Sequence, residues 1–91
     1  MLNIFFGEEI TQEKLVQVYQ AEQYLRSLEI PVVRVRTHQG TARIETLKEY
    51  FDVILEHSLD IETKLRELGY KFVTLDLRGY RQGSMNITQE E

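Results

Sequence analysis

The sequence predicts one small α+β domain, a three-stranded sheet with helices on one face. Three observations support this. Two stretches of alternating apolar and polar residues flank a glycine turn, three stretches carry apolar residues at helical spacing, and a third alternating stretch follows Gly69. Ninety-one residues suit one domain, 1–91. Its ends, 1–9 and 87–91, are expected to be disordered or truncated.

The composition argues against several classes of function. Without cysteine the chain has no disulfide, no Cys-ligated zinc and no thiol nucleophile, which fits a cytoplasmic setting. A formal net charge of -4 argues against general nucleic-acid binding. No apolar run approaches the ~18 residues of a membrane span. We expect a cytoplasmic domain that binds neither nucleic acid nor membrane.

Residues 1–7 are apolar without clear periodicity, which leaves open a short edge strand or the remainder of a longer segment. Residues 11–28 are predicted to form the first helix, with Thr11 as the N-cap and Ile10 stapled onto Leu15. The apolar face of this helix is formed by Leu15, Val18, Tyr19 and Leu25.

Glu22 lies near the middle of that apolar face. A carboxylate there must be paired, shift its pKa upward or lie at a wet cleft. Three interpretations stay open: a salt bridge that pins the helix, a metal-binding or acid–base carboxylate, or a rotated helix that exposes Glu22.

Residues 31–37 and 41–46 are predicted strands joined by a hairpin turn at 38–40. Residues 46–56 then form a helix that begins with a capping box from Thr46 to Glu49. Ser58 caps a further helix, which runs to Leu68. His57, between the two helices, is expected to interact with the helix C-terminus.

Residues 70–77 are the predicted third strand, and a glycine-punctuated loop with Arg81 and Ser84 follows it. A crossover through the helices predicts that the third strand lies beside the first and antiparallel to it. The expected sheet order is second, first, third. The element order αββααβ is similar to a ferredoxin-like fold that lacks its first strand.

Strand alternation places polar side chains on the sheet face away from the helices. Its members are Arg34, Arg36, Arg43, Glu45, Thr74 and Asp76. Two interpretations stay open. The face is either solvated and crossed by ion pairs, each worth under about 1 kcal/mol, or an anion-binding platform on which Arg34 and Arg36 are joined by Arg81.

Three runs carry a family resemblance: residues 7–11 (GEEIT), 33–36 (VRVR) and 68–86 (LGYKFVTLDLRGYRQGSMN). Together they resemble the C-terminal domain of the ATP-dependent sacrificial sulfur transferases of the PP-loop superfamily. That family helps to build the nickel-pincer cofactor of lactate racemase. The resemblance covers nearly the whole chain, and its last run is the most specific.

The resemblance implies a two-part enzyme. A PP-loop domain binds ATP and Mg²⁺ and adenylylates a carboxylate of a pyridinium mononucleotide. A cysteine near the junction then attacks the acyl adenylate and gives up its sulfur. The C-terminal domain lines the site and contributes oligomer contacts, so a homo-oligomer is expected.

The resemblance also assigns residues. Glu22 and Arg34 match family site residues and are the catalytic candidates. The substrate- or phosphate-binding candidates are Arg34, Arg36, Arg81 and Ser84. No metal site is expected, and the second-line candidates for one are Glu22, Glu45 and Asp76, of which the last two match motif acids.

The sequence departs from the family pattern in three places. It contains no Ser-Gly-Gly PP-loop and no donor cysteine, and residues 37–40 (THQG) replace an acidic family pattern. We therefore expect the chain alone to be inactive and to bind no cofactor by itself. A fused or separate PP-loop partner would complete it. The alternative is a stand-alone interaction or regulatory module that forms homo-oligomers.

Overall fold

The computed structural model describes residues 11–80, and these form three α-helices and one three-stranded mixed sheet. The elements are α1 (Gln12–Ser27), β1 (Val33–His38), β2 (Thr41–Thr46), a 3₁₀ turn (Lys48–Tyr50), α2 (Phe51–Glu56), α3 (Ser58–Glu67) and β3 (Phe72–Leu75). The predicted α+β class and the order αββααβ are confirmed. The predictions for residues 1–9 and 87–91, and the staple from Ile10, lie outside the described residues.

Helix α1 begins where the sequence predicts. Thr11 is its N-cap, and the Thr11 hydroxyl accepts a hydrogen bond from the backbone N–H of Lys14 at 3.2 Å. The predicted inner face was partly wrong, because Leu15 and Tyr19 are exposed. Val18, Ala21 and Leu25 are the buried residues instead, so the helix is rotated about its axis relative to the prediction.

The β1–β2 hairpin is confirmed. The two strands are antiparallel and are joined by Gln39 and Gly40, which both have positive φ values, 51° and 85°. Two consecutive left-handed residues form a turn whose twist matches that of the flanking strands. The register pairs Arg34 with Glu45 and Arg36 with Arg43.

The predicted sheet order was wrong. The observed order is β1-β2-β3, and β3 runs parallel to β2 rather than antiparallel to β1. The outer side of β1 is taken by α1, because the Glu22 carboxylate accepts the hydrogen bond of the Val35 N–H at 2.9 Å. The helical crossover from β2 therefore returns β3 to the other side of β2.

The helix after β2 also starts later than predicted. Thr46 is the last residue of β2, and its hydroxyl donates to the carbonyl of Val32 instead of capping a helix. The 3₁₀ turn and α2 both lack a side-chain cap. Likewise Ser58 is the first residue of α3 and not its cap, which is His57.

One apolar core lies between the sheet and the helices. It joins Val33, Val35, Ala42 and Ile44 of the sheet with side chains of all three helices, including Leu25, Ile54 and Leu65. The helices therefore cover one face, as predicted, and the other face is left for the polar side chains. Among residues 11–80, no helix has the length and apolarity needed to cross a membrane.

Candidate functional site

The face of the sheet away from the helices carries the polar residues that alternation predicts. Strand pairing arranges them in three rows across β1, β2 and β3. The first row is His38, Thr41 and Phe72, the second is Arg36, Arg43 and Thr74, and the third is Arg34, Glu45 and Asp76. Asp76 joins the third row because its N–H donates to the carbonyl of Ile44 at 2.9 Å. We call these nine residues the charged face.

Glu45 organises the middle of the charged face. One carboxylate oxygen accepts from Arg36 Nε at 3.2 Å, and the other accepts from Arg43 Nη2 at 3.3 Å. Glu45 and Arg36 are buried, with 5% and 7% of their surface exposed. A buried carboxylate shared by two guanidinium groups is compensated on both oxygens, so this pair belongs to the folded interior.

Asp76 extends the network to β3. Its Oδ2 lies 3.6 Å from Arg43 Nε, and its Oδ1 accepts from the N–H of Arg78 at 2.9 Å. The interpretation of the face as one crossed by ion pairs therefore holds for Arg36 and Arg43. Two carboxylates, Glu45 and Asp76, offset the charges of these two arginines.

Arg34 differs from the other two arginines. Its Nη1 donates to the carbonyl of Val33 at 3.1 Å, and its guanidinium carbon lies 5.7 Å from the centre of the Tyr80 ring. Within residues 11–80, no carboxylate lies within ion-pair distance of it. A guanidinium that rests on an aromatic ring and lacks an acidic partner keeps donors available for an anion.

Tyr80 reaches Arg34 through a turn after β3. The N–H of Gly79 donates to the carbonyl of Asp76 at 3.0 Å, and the N–H of Tyr80 then donates to the carbonyl of Thr46 at 2.7 Å. Gly79 has φ of 80°, and a Cβ there would lie 3.2 Å from the Thr46 carbonyl oxygen. A glycine is therefore required to bring Tyr80 to Arg34.

The sequence did not single out Tyr80. The available signal was its place in the run GYR, directly after the glycine that makes the turn possible. Arg81 and Ser84, which follow in that run, lie outside the described residues.

Glu22 lies at the outer edge of β1. Its Oε2 accepts from the Val35 N–H, and its Oε1 lies 3.6 Å from Arg26 Nη2, four residues further along α1. Glu22 therefore contacts the backbone of the residue next to Arg34.

Tyr70 and Thr37 form a buried pair on the core side of that same edge. Their hydroxyl groups lie 2.7 Å apart. Burial raises the pKa of Tyr70, the hydrogen bond with Thr37 lowers the pKa in part, and the negative charge of Glu22 raises it further. The sequence analysis missed this pair, because both residues were assigned only to strands.

The arrangement offers no ready metal centre in residues 11–80, where no group of three His, Asp or Glu side chains converges. Glu22, Glu45 and Asp76, the second-line metal candidates, each accept hydrogen bonds from protein donors. His57 also has a local partner, since its Nδ1 lies 3.1 Å from the carbonyl of Val53 in α2.

A shallow pocket of about 430 Å³ lies in the first two rows of the charged face. It is lined by Arg36, His38, Thr41, Arg43 and Thr74. Hydroxyl, imidazole and guanidinium groups thus surround a concave patch that adjoins the Arg34 row.

Comparison with known proteins identifies relatives. The chain is 43% identical over 83 residues to pyridinium-3,5-bisthiocarboxylic acid mononucleotide synthase of Lactiplantibacillus plantarum, a match covering 91% of the chain and 30% of that protein. It is 45% identical over 83 residues to the uncharacterized protein slr1717 of Synechocystis, covering 89% of the chain and 31% of that protein.

The chain therefore spans about a third of the length of these relatives. No family model matches it. The match over 83 residues and the partial coverage agree with the resemblance drawn from the three sequence runs and with a domain that lacks the PP-loop. By sequence, this chain is therefore similar to one part, about a third, of a longer pyridinium-3,5-bisthiocarboxylic acid mononucleotide synthase.

Proposed function

We propose that this chain is the substrate-site and oligomerisation domain of a PP-loop ATP-dependent sulfur transferase that works in the cytoplasm. A fused or separate PP-loop part supplies ATP binding, Mg²⁺ and the donor cysteine. The support is the similarity to a synthase whose name specifies a pyridinium mononucleotide, together with the charged face. A mononucleotide carries a phosphate, which is the group that an arginine fork binds best.

The observation that carries the proposal is the environment of Arg34. Arg36 and Arg43 are held by the Glu45 carboxylate, whereas Arg34 has no acidic partner in residues 11–80 and rests against the Tyr80 ring. An incoming phosphate oxygen therefore gains more from Arg34 than from a guanidinium that already shares a carboxylate. Arg34 binds the phosphate in this proposal, and Arg36 shapes the neighbouring part of the face.

Glu22 supports Arg34 in this proposal. By holding the Val35 N–H, its carboxylate positions the outer edge of β1 at the residue that follows Arg34. Arg81 and Ser84 remain phosphate-binding candidates of the proposed site, since they follow Tyr80 closely in the sequence.

The domain contributes binding energy and charge neutralisation rather than the chemical step. A carboxylate is a poor electrophile, because its negative charge repels nucleophiles and oxide is a poor leaving group. Adenylylation by the PP-loop part removes both obstacles. A guanidinium that anchors the phosphate of the same substrate keeps the activated carboxyl group near the sulfur donor.

The test is a titration of the ¹⁵N-labelled chain with AMP and with a pyridine mononucleotide, followed by NMR. We expect shifts concentrated at Arg34 and Tyr80, and a loss of affinity of about tenfold or more in Arg34→Gln, the usual cost of one charge-assisted hydrogen bond. Arg66→Gln is the matched control, because Arg66 is an exposed arginine on α3 that pairs with Glu62 at 3.2 Å.

Two outcomes would reject the proposal. One is the absence of shifts at Arg34 and Tyr80 with millimolar ligand. The other is an equal loss of affinity in Arg34→Gln and Arg66→Gln, which indicates general charge attraction rather than a site.

A stand-alone interaction module is the second candidate, and exposed apolar side chains favour it. Leu55, Leu59, Phe72 and Leu77 expose 63%, 76%, 65% and 74% of their surface. If the charged face itself forms the contact, Arg34→Ala and Glu45→Ala will lower the sedimentation mass without any ligand. A mass that does not change in either variant excludes that contact.

A further inference from the structure

The two outer edges of the sheet differ. On β1, Glu22 occupies the outward N–H of Val35. On β3, Phe72 and Asp76 donate inward, to the carbonyls of Gly40 and Ile44. Because backbone groups alternate along a strand, the N–H and C=O groups of Val73 and Leu75 point outward.

An apolar groove lies below this edge of β3, which pairs with no strand other than β2 among residues 11–80. It has a volume of about 430 Å³, and Val73 and Leu75 line it from the sheet. From the helices it is lined by Ile54, Leu55, Leu59 and Ile61. Leu55 of α2 and Leu59 of α3 remain mostly exposed. A strand that paired with this edge of β3 would direct every second side chain into the groove and bury its apolar surface.

The edge lacks most of the features that prevent strand addition. β3 contains no proline and no charged residue. Of the features that oppose strand addition, it has only its short length of four residues. Its charged-face side chain Phe72 is 65% exposed. The surface suits a partner that offers an apolar strand of similar length.

We propose that the partner is a second copy of this chain, which pairs β3 with β3 in antiparallel orientation about a two-fold axis at Thr74. Val73 of each copy then lies opposite Leu75 of the other copy. Since both residues direct their N–H and C=O groups outward, the two pairs form four hydrogen bonds. The product is one continuous sheet of six strands, three from each copy.

The strand is complementary to itself in this register. The apolar pair Val73 and Leu75 meets the same pair, and Phe72 lies opposite Asp76 of the second copy. No two like charges face each other across the axis, which is the arrangement that destabilises paired strands. A two-fold axis at Val73 would instead place Leu75 opposite Lys71, whose N–H is already bound to Gly40 at 2.7 Å.

This interface leaves the proposed phosphate site accessible. Arg34 lies on β1, at the far side of the sheet from β3. The inference rests on the oligomerisation part of the proposed function, for which it names the contact, and is separate from the phosphate site. Loss of nucleotide binding and loss of the dimer are separate results.

The first test measures the mass of the chain by sedimentation equilibrium and uses variants of Phe72 to probe the strand register. We expect the mass of the wild-type chain to rise with concentration towards twice 10.8 kDa. Phe72→Glu places a carboxylate opposite Asp76 in both symmetric pairs, and we expect its dimer dissociation constant to rise about tenfold above that of Phe72→Lys. Both variants lose the same ring, so Phe72→Lys is the matched control.

Two results would overturn the proposal in this experiment. A mass of one chain at millimolar concentration excludes the dimer. Equal weakening by Phe72→Glu and Phe72→Lys excludes this register, because charge would then have no effect at that position.

The second test is amide hydrogen exchange on the same chain at low and high concentration. We expect exchange at Val73 and Leu75 to slow as concentration rises, while exchange at Val33 and Thr37, on the outer side of β1, stays unchanged. Protection of Val73 and Leu75 that is independent of concentration would overturn the proposal, since it means that the edge is covered within one chain.

Discussion

The two faces of the sheet are both partly closed to water, but by different means. The core face is closed by apolar packing, with Val33, Val35 and Ala42 fully buried against the helices. The charged face is closed at its centre by Glu45, whose carboxylate joins Arg36 and Arg43. A row of charged residues in the sequence can therefore be interior structure. Arg34 differs from Arg36 and Arg43, because no carboxylate among residues 11–80 pairs with it.

The largest expected effect is on the charged face. Glu45→Ala leaves the buried Arg36 guanidinium without its carboxylate, and we expect the free energy of unfolding to fall by about 3–5 kcal/mol. Urea denaturation measures this. Glu62→Ala is the matched control, since it breaks a surface pair with Arg66 and should cost less than about 1 kcal/mol. Equal losses of free energy in the two variants would mean that the Glu45 ion pairs stabilise the fold no more than an exposed surface ion pair does.

A smaller effect is expected at the edge of the core face. Tyr70→Phe removes the hydroxyl that lies 2.7 Å from the Thr37 hydroxyl and leaves the latter buried without that partner. We expect a loss of about 1–3 kcal/mol in the same denaturation experiment. Tyr19→Phe, which alters an exposed tyrosine, should leave stability nearly unchanged. If Tyr70→Phe loses no more stability than Tyr19→Phe, the hydrogen bond between Tyr70 and Thr37 does not stabilise the fold.

The same tyrosine makes stability depend on alkaline pH. Burial raises the pKa of Tyr70 above its ordinary value of 10.0, so the folded state favours the neutral phenol. This contribution is complete below pH 10 and is lost as pH rises from there towards the raised pKa. We expect the stability of the wild type to fall more steeply above pH 10 than that of Tyr70→Phe. Parallel curves would contradict the raised pKa.

The smallest effect on stability is expected at Arg34. Its partners are a backbone carbonyl and the Tyr80 ring, and an exposed cation–π contact is worth about 0.5–1 kcal/mol. Arg34→Gln should therefore lower the free energy of unfolding by less than about 1 kcal/mol. This prediction sharpens the contrast with Glu45. A loss as large as that of Glu45→Ala would make Arg34 a structural residue as well.

Local patterns predicted most of the elements. The boundaries of β2 agree with the predicted 41–46, and α1 starts after Thr11 as expected. The predicted capping box at Thr46 was wrong, because the Thr46 hydroxyl donates to the carbonyl of Val32, the residue before β1. A capping pattern specifies which groups can bond locally, but a strand partner that arrives from elsewhere competes for the same hydroxyl.

Six of the nine residues of the charged face were predicted to lie on it, although the sheet order was wrong. Alternation along a strand assigns each side chain to a face whatever strand lies beside it. The neighbouring strand decides only which charges meet. The pairing of Asp76 with Arg43 therefore required β3 to lie next to β2.

The amino-acid order alone determined which residues turn towards the helices and which turn away, because that depends on backbone periodicity within one element. Only the tertiary structure decided that Arg36 and Arg43 share Glu45, that Arg34 rests beside Tyr80, and that β3 is an outer strand of the sheet formed by residues 11–80. These facts depend on contacts between residues far apart in sequence, and such contacts are selected by the packing of whole elements rather than by any local preference.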